Sequence, residues 1–143
     1  MVRPHDAIQK DAGIRGVGID LCHIEEMRRR LNDAASAFAV THFRPQELDL
    51  IQQRPSGDPA QHAAARYAAK EACIKALSQA AEGKRLLPQI DYRELEIVGA
   101  HEATPRLVLH GAMQEVAREL GVRQILVSLT HEDTLAAAVV VVL

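Results

Sequence analysis

Four ionisable residues in two short stretches carry the chemistry this sequence offers. Asp20 closes "GVGID", and Lys70, Glu71 and Lys75 stand within "RYAAKEACIKAL", residues 66–77. On a helix turning ~100° per residue, Lys70 falls inside an apolar stripe made by Ala63, Tyr67, Ile74 and Leu77. Glu71 borders that stripe, one turn before Lys75. Taken alone, this spacing describes an ordinary helix. Glu71 to Lys75 is the favourable i,i+4 orientation, worth about 0.3–0.5 kcal/mol on a surface, and Lys70 can snorkel along its stem. Asp20 opens a second reading. It ends a glycine-bearing strand face, where the margin of a packed helix arrives. Two carboxylates meeting there repel each other unless a cation lies between them. Oxygen-only ligands suit magnesium, which keeps waters and substrate phosphates in its shell. Flanking lysines bind phosphate oxygens and a carboxylate takes a hydroxyl proton, which together are the parts needed for transfer at a pyrophosphate.

The elements that must position these groups follow from patterning. "RGVGIDLC" alternates, with Val17, Ile19 and Leu21 on one face and Gly16, Gly18, Asp20 and Cys22 on the other, so it reads as a first strand. The bare glycine face invites a close backbone neighbour. A short helix follows at "HIEEMRRRL", and another begins near Pro45. The long helix is well marked: Asp58 as N-cap, Pro59 at its first position, Gln61 completing a capping box, and Gly83 as its stop. Strands are expected at "YRELEIV" and "PRLVL", then a helix at "GAMQEVAREL" ended by Gly121. "QILVSLT" and "LAAAVVVVL" close the chain as a hairpin around "HEDT". The expected fold class is α+β, a mainly antiparallel sheet with a long packed helix. Residues 1–13 read as a flexible arm and 14–143 as a single domain.

Composition bounds the function. The chain has 143 residues, a net charge of −2, 3% aromatic residues and no Trp. Neither a basic surface nor stacking platforms point to nucleic acid. The longest apolar run falls well short of the ~20 residues of a membrane helix, and no signal-peptide core precedes the domain. Two cysteines, Cys22 and Cys73, read as free thiols in a reducing, cytoplasmic setting.

"GVGID", "RYAAKEACIKAL" and "VSLTH", in this order and spacing, resemble the holo-acyl-carrier-protein synthase type of 4′-phosphopantetheinyl transferase. The likeness runs from about residue 16 to the C-terminus. It implies the fold of that family and transfer of phosphopantetheine from coenzyme A to a serine of an acyl carrier protein. It further implies Asp20 and Glu71 as magnesium ligands, Glu71 as general base and Lys75 as the cation facing pyrophosphate. Arg66 and Lys70 match positions near the coenzyme A phosphates. Pro105 matches an adenine-side proline, and Ser128 and His131 the strand end that closes the nucleotide site. Members of this length are typically homotrimers with sites between subunits.

The likeness also has gaps. His23 and Glu26 stand where the family has an acidic residue and a carrier-gripping arginine. "THFRPQE" has Thr41 for an arginine and Arg44 for a threonine. Ser78-Gln79-Ala80 replaces a glycine-rich turn, and Thr104 replaces a glycine. Arg28, Arg29 and Arg30 are the candidates to grip an acidic carrier in place of the missing arginine, unless they form a solvated helix face. The alternative function is a non-catalytic relative that binds a carrier protein or nucleotide without transfer.

Overall fold

The computed structural model describes residues 13–53, 57–99 and 104–143. All but the last residue of the arm expected over 1–13 lies outside the described residues. The chain runs β1 (Gly16–His23), α1 (Ile24–Asn32), α2 (Phe38–His42), α3 (Pro45–Gln52) and α4 (Pro59–Ala80). A 3-10 turn at Tyr92–Glu94 leads into β2 (Leu95–Val98) and β3 (Arg106–Leu109), then α5 (Gly111–Glu119), β4 (Ile125–His131) and β5 (Leu135–Val142).

The α+β architecture with antiparallel strands is as expected, but the strands form two sheets. β1, β5 and β4 make one, with β5 in the middle; β2 and β3 make the other. "YRELEIV" divides between the turn and β2. The five-residue α2 has no counterpart in the sequence reading; its N-cap residue Ala37 offers no side chain, and Ser36 Oγ accepts from Phe38 N–H at 3.1 Å instead.

The neighbour that the glycine face receives is α4 itself. A methyl group on Gly18 would overlap the carbonyl oxygen of Ala72, and one on Gly16 that of Ala76. Ala68, Ala69, Ala72 and Ala76 have no solvent exposure, so strand and helix meet almost backbone to backbone. Gly18→Ala is therefore expected to push β1 from α4 and destabilise the protein by about 1–3 kcal/mol, read as a lower urea midpoint. An unchanged midpoint would mean that the two elements slide apart freely.

The same packing closes the open edge of β1. The side-chain carbonyl of Gln79 accepts from Val17 N–H at 2.7 Å, and Lys75 Nζ donates to the carbonyl of Ile19 at 2.9 Å. An edge strand is thus capped by helix side chains rather than by another strand.

Asp58 starts α4 as expected, accepting from Ala60 N–H at 3.0 Å. No reciprocal capping box with Gln61 forms among the described residues; the other Asp58 oxygen takes Arg28 from α1 instead. That hydrogen bond from Arg28 holds the Asp58 carboxyl below its ordinary value. A carboxyl depressed in the folded state adds stability above the ordinary aspartate range, and that stability is lost as pH falls through the folded value. Asp58→Ala should cost about 1 kcal/mol at neutral pH and cost less in acid, as measured by urea denaturation at pH 7 and pH 3. At the far end, Gly83 N–H returns to the carbonyl of Ser78 at 3.1 Å, and Gly83 takes the left-handed conformation at φ 78°. This is the stop read from the sequence.

Candidate active site

Asp20 sits on the inner face of β1, opposite Ala138 of β5. Lys75, one helix face away, donates to its Oδ1 at 3.0 Å while also holding the Ile19 carbonyl. The Lys75 side chain is half exposed and Asp20 mostly covered, so the pair lines the rim of the strand–helix junction.

Glu71 lies one turn before Lys75 and is half-buried. Tyr92, from the 3-10 turn, donates its phenol to Glu71 Oε1 at 2.5 Å. Burial first, then this hydrogen bond and the charge of Glu71, push the Tyr92 phenol well above its ordinary range; Asp20 adds to the effect. The charges of Glu71 and Asp20 thus both reach one hydroxyl. Tyr67 is raised in the same sense, by burial and then by the charge and hydrogen bond of Glu71. The phenols therefore stay protonated and donate.

The surrounding wall is aromatic. The chain has two Phe and two Tyr, and all four gather here. Tyr67 stacks on Tyr92 at 5.9 Å, His42 lies 4.8 Å from Tyr92, and Phe38 stacks on His42 at 4.2 Å. Phe38 also meets Phe43 edge-on at 6.2 Å. Arg30 covers Phe38 at 5.2 Å and Tyr67 at 5.9 Å. Burial lowers the His42 pKa, and the cations Lys70 and Arg30 lower it further. A cleft of about 530 Å³ opens beside Tyr92, between Thr41–His42 and the segment Gln89–Arg93.

Lys70 turns inward rather than toward the rim. It is fully buried and donates to Glu47 Oε1 at 2.7 Å, the His42 carbonyl at 2.6 Å and the Tyr92 carbonyl at 3.1 Å. All three of its protons are used, so it has none for a coenzyme A phosphate. Its ammonium also rests 5.0 Å over the Phe43 ring. Burial draws its pKa below the ordinary lysine value, and Glu47 opposes this. Glu47, absent from the sequence reading as a site residue, is also fully buried. It accepts from Arg44 N–H at 2.9 Å and from Ile97 N–H at 3.1 Å. Its bond to Arg44 N–H is the local one of a helix start, but the partners that draw it into the interior lie 23 and 50 residues away. Arg66 is largely buried as well, at 5% exposure with Nη1 donating to the His62 carbonyl.

The remaining candidates scatter. Ser128 lies on the outer face of β4 with Leu126 and Thr130, on the side of the sheet away from Asp20. His131 is on the inner face, two strands across from β1, with its ring 6.5 Å from that of His62. Pro105 precedes β3 in the other sheet, against Gly99. The three arginines of α1 diverge: Arg28 pairs with Asp58 and Glu25, Arg30 pairs with Glu26 and covers the rings, and Arg29 is exposed with no ion pair among the described residues.

The donor chemistry fits a hard divalent ion. Asp20 and Glu71 supply carboxylate oxygens from β1 and α4. Among the described residues no group of three or more His, Cys, Asp or Glu could hold a metal. An ion held by these two carboxylates must take the rest of its shell from water and substrate oxygens, as magnesium does.

With this fold and this site, the chain belongs to the 4′-phosphopantetheinyl transferase superfamily, whose model matches residues 16–140. It is 42% identical over 130 residues to the holo-[acyl-carrier-protein] synthase of Mycobacterium ulcerans, covering 90% of this chain and 96% of that one. The ACPS–CoA complex of Chronobacterium ammoniagenes superposes with a TM-score of 0.78 at 31% identity, over 89% of this chain and 95% of that one. The acyl carrier protein synthase of Mycobacterium tuberculosis superposes at 0.69 with 38% identity, over 91% and 97%.

Proposed function

We propose that this protein is a holo-acyl-carrier-protein synthase, transferring 4′-phosphopantetheine from coenzyme A to a serine of an acyl carrier protein with magnesium. The observation that carries the reading is Asp20 held by Lys75 at 3.0 Å, with Glu71 one helical turn before that lysine. In the transfer, the serine oxygen bonds to the phosphorus that bears the pantetheine arm, and the bond to adenosine 3′,5′-bisphosphate breaks. Glu71 takes the serine proton, directly or through a water. Lys75, already at the rim, neutralises phosphate charge. Asp20 and Glu71 would hold the magnesium ion, which would supply charge neutralisation at the pyrophosphate when bound.

A homotrimer accounts for two further features. Ser128 cannot join Asp20 within one chain, because the sheet lies between them; a second copy can bring it there, and with it Pro105 and His131 to the nucleotide. The outer face of the three-stranded sheet is also strongly apolar and open: Val17, Ile19, Leu21, Leu126 and Val139 are 37–63% exposed, a patch that marks an association surface.

Three of the departures from the family pattern find structural uses outside the carboxylates. Glu26 pairs with Arg30, Gln79 caps β1, and Arg44 donates to the Arg93 carbonyl at 2.9 Å. Arg29 is the arginine of α1 left for an acidic carrier, with Arg28 and Arg30 half committed. No helix among the described residues is long and apolar enough to cross a membrane. The free thiols, Cys22 and Cys73, suit work in the cytoplasm.

The test is the intact mass of an apo acyl carrier protein after incubation with this protein, coenzyme A and magnesium. A phosphopantetheine-sized gain that EDTA abolishes is expected. No gain on a panel of carriers, with coenzyme A still bound, would move the reading to the non-catalytic relative.

A further inference from the structure

We propose that Tyr92 is a positioning residue for Glu71: its phenol fixes one carboxylate oxygen so that the other faces the cation and the reacting serine. The proposal rests on the transferase reading for its consequence, though not for its geometry.

A glutamate on a helix face has a nearly free terminal torsion, so its two oxygens exchange places unless one is held. Here Oε1 is held by the Tyr92 hydroxyl at 2.5 Å. Tyr92 is itself fixed at three points. Lys70 Nζ grips its carbonyl at 3.1 Å, Tyr67 stacks on its ring with the planes 8° apart, and His42 covers it at 4.8 Å. The grip is shared, because Lys70 also holds the carbonyl of His42 at 2.6 Å. The buried Lys70 thus sets the backbone that carries the phenol, while its sequence neighbour Glu71 receives it. A phenol donating to a carboxylate removes one oxygen from competition and orients the other. Partners of this kind behind metal ligands are typically worth about 10–100-fold in affinity or activity.

The test is Tyr92→Phe, which keeps the ring stack and removes only the hydroxyl. Mn2+ serves as the probe, titrated by electron paramagnetic resonance in the presence of coenzyme A. Its dissociation constant is expected to rise about tenfold in Tyr92→Phe. With a carrier that the wild type modifies, kcat should fall about tenfold while the KM for the carrier stays within about twofold. The melting temperature should change by less than about 4 °C. In a Glu71→Gln background, the added Tyr92→Phe change should weaken Mn2+ no further, because the hydroxyl acts only through Glu71. Unchanged Mn2+ affinity in Tyr92→Phe overturns the proposal. So does a further loss in the double variant, since the hydroxyl would then act elsewhere. If the wild type modifies no carrier, the transferase reading fails separately, and the Mn2+ titrations still decide the role of Tyr92.

Discussion

Glu71→Gln is expected to reduce transfer at least about a thousandfold while leaving the protein folded. Glutamine keeps the shape and can still accept from Tyr92, but it carries no charge and takes no proton. Two separate contributions vanish together. General-base assistance alone is worth about 10²–10⁴ in rate, and a cation shared between Asp20 and Glu71 loses one of its two anionic anchors. Stability should change little, because the carboxylate is half-buried at the rim and its loss strands no buried charge. The measurement is the initial rate of carrier-protein mass gain at saturating coenzyme A and magnesium, with a thermal melt beside it. A variant retaining a tenth of the wild-type rate would remove Glu71 from the chemistry. A collapsed melt would make it a structural residue.

Lys70→Met should have the opposite profile, with stability as the main loss. The substitution keeps the stem volume and leaves Glu47 buried without its ammonium. Removing one member of a buried ion pair costs about 3–5 kcal/mol. That is a large part of the 5–15 kcal/mol that ordinarily holds a domain together. The carbonyls of His42 and Tyr92 lose a donor as well. The paired variant, Lys70→Met with Glu47→Gln, should recover a substantial part of the loss, because the stranded charge goes with the second change. Urea denaturation of the three variants reads this directly. If the double variant is no more stable than Lys70→Met, the ion pair is not what the cluster depends on.

These two neighbours show how far local pattern reaches. Residues 70 and 71 read from the sequence as a pair of charges on one rim. The helical wheel had Lys70 inside the apolar stripe, and that placement was correct. The phosphate position implied by the family likeness is a different surrounding, because the protein places Glu47 at the end of the lysine. Glu47 arrives through α3, 23 residues away, so only the tertiary fold decides which way Lys70 turns. Tyr92 was hidden for a similar reason. It read as the start of a strand, yet it sits in a 3-10 turn that aims its hydroxyl at α4. The arginines of α1 were legible as a charge cluster, but their division among Asp58, Glu26 and the aromatic wall depends on elements that no helix pattern reports.

The sequence by itself determined the long helix, its cap and its stop, the alternation of β1, and the motifs that carry Asp20, Glu71 and Lys75. These are settled by neighbours within a turn or a strand pair, where side-chain period and capping chemistry act directly. Tertiary structure alone decided that the glycines of β1 receive α4 and that Lys70 is consumed in the interior. It also decided that all four aromatic residues gather into one wall, whose Tyr92 reaches Glu71, and that Ser128 and Asp20 lie on opposite faces of one sheet. Each of these is set by which distant element supplies the facing surface. Burial and long-range hydrogen bonding select that partner, and the residues near each group in sequence do not record it.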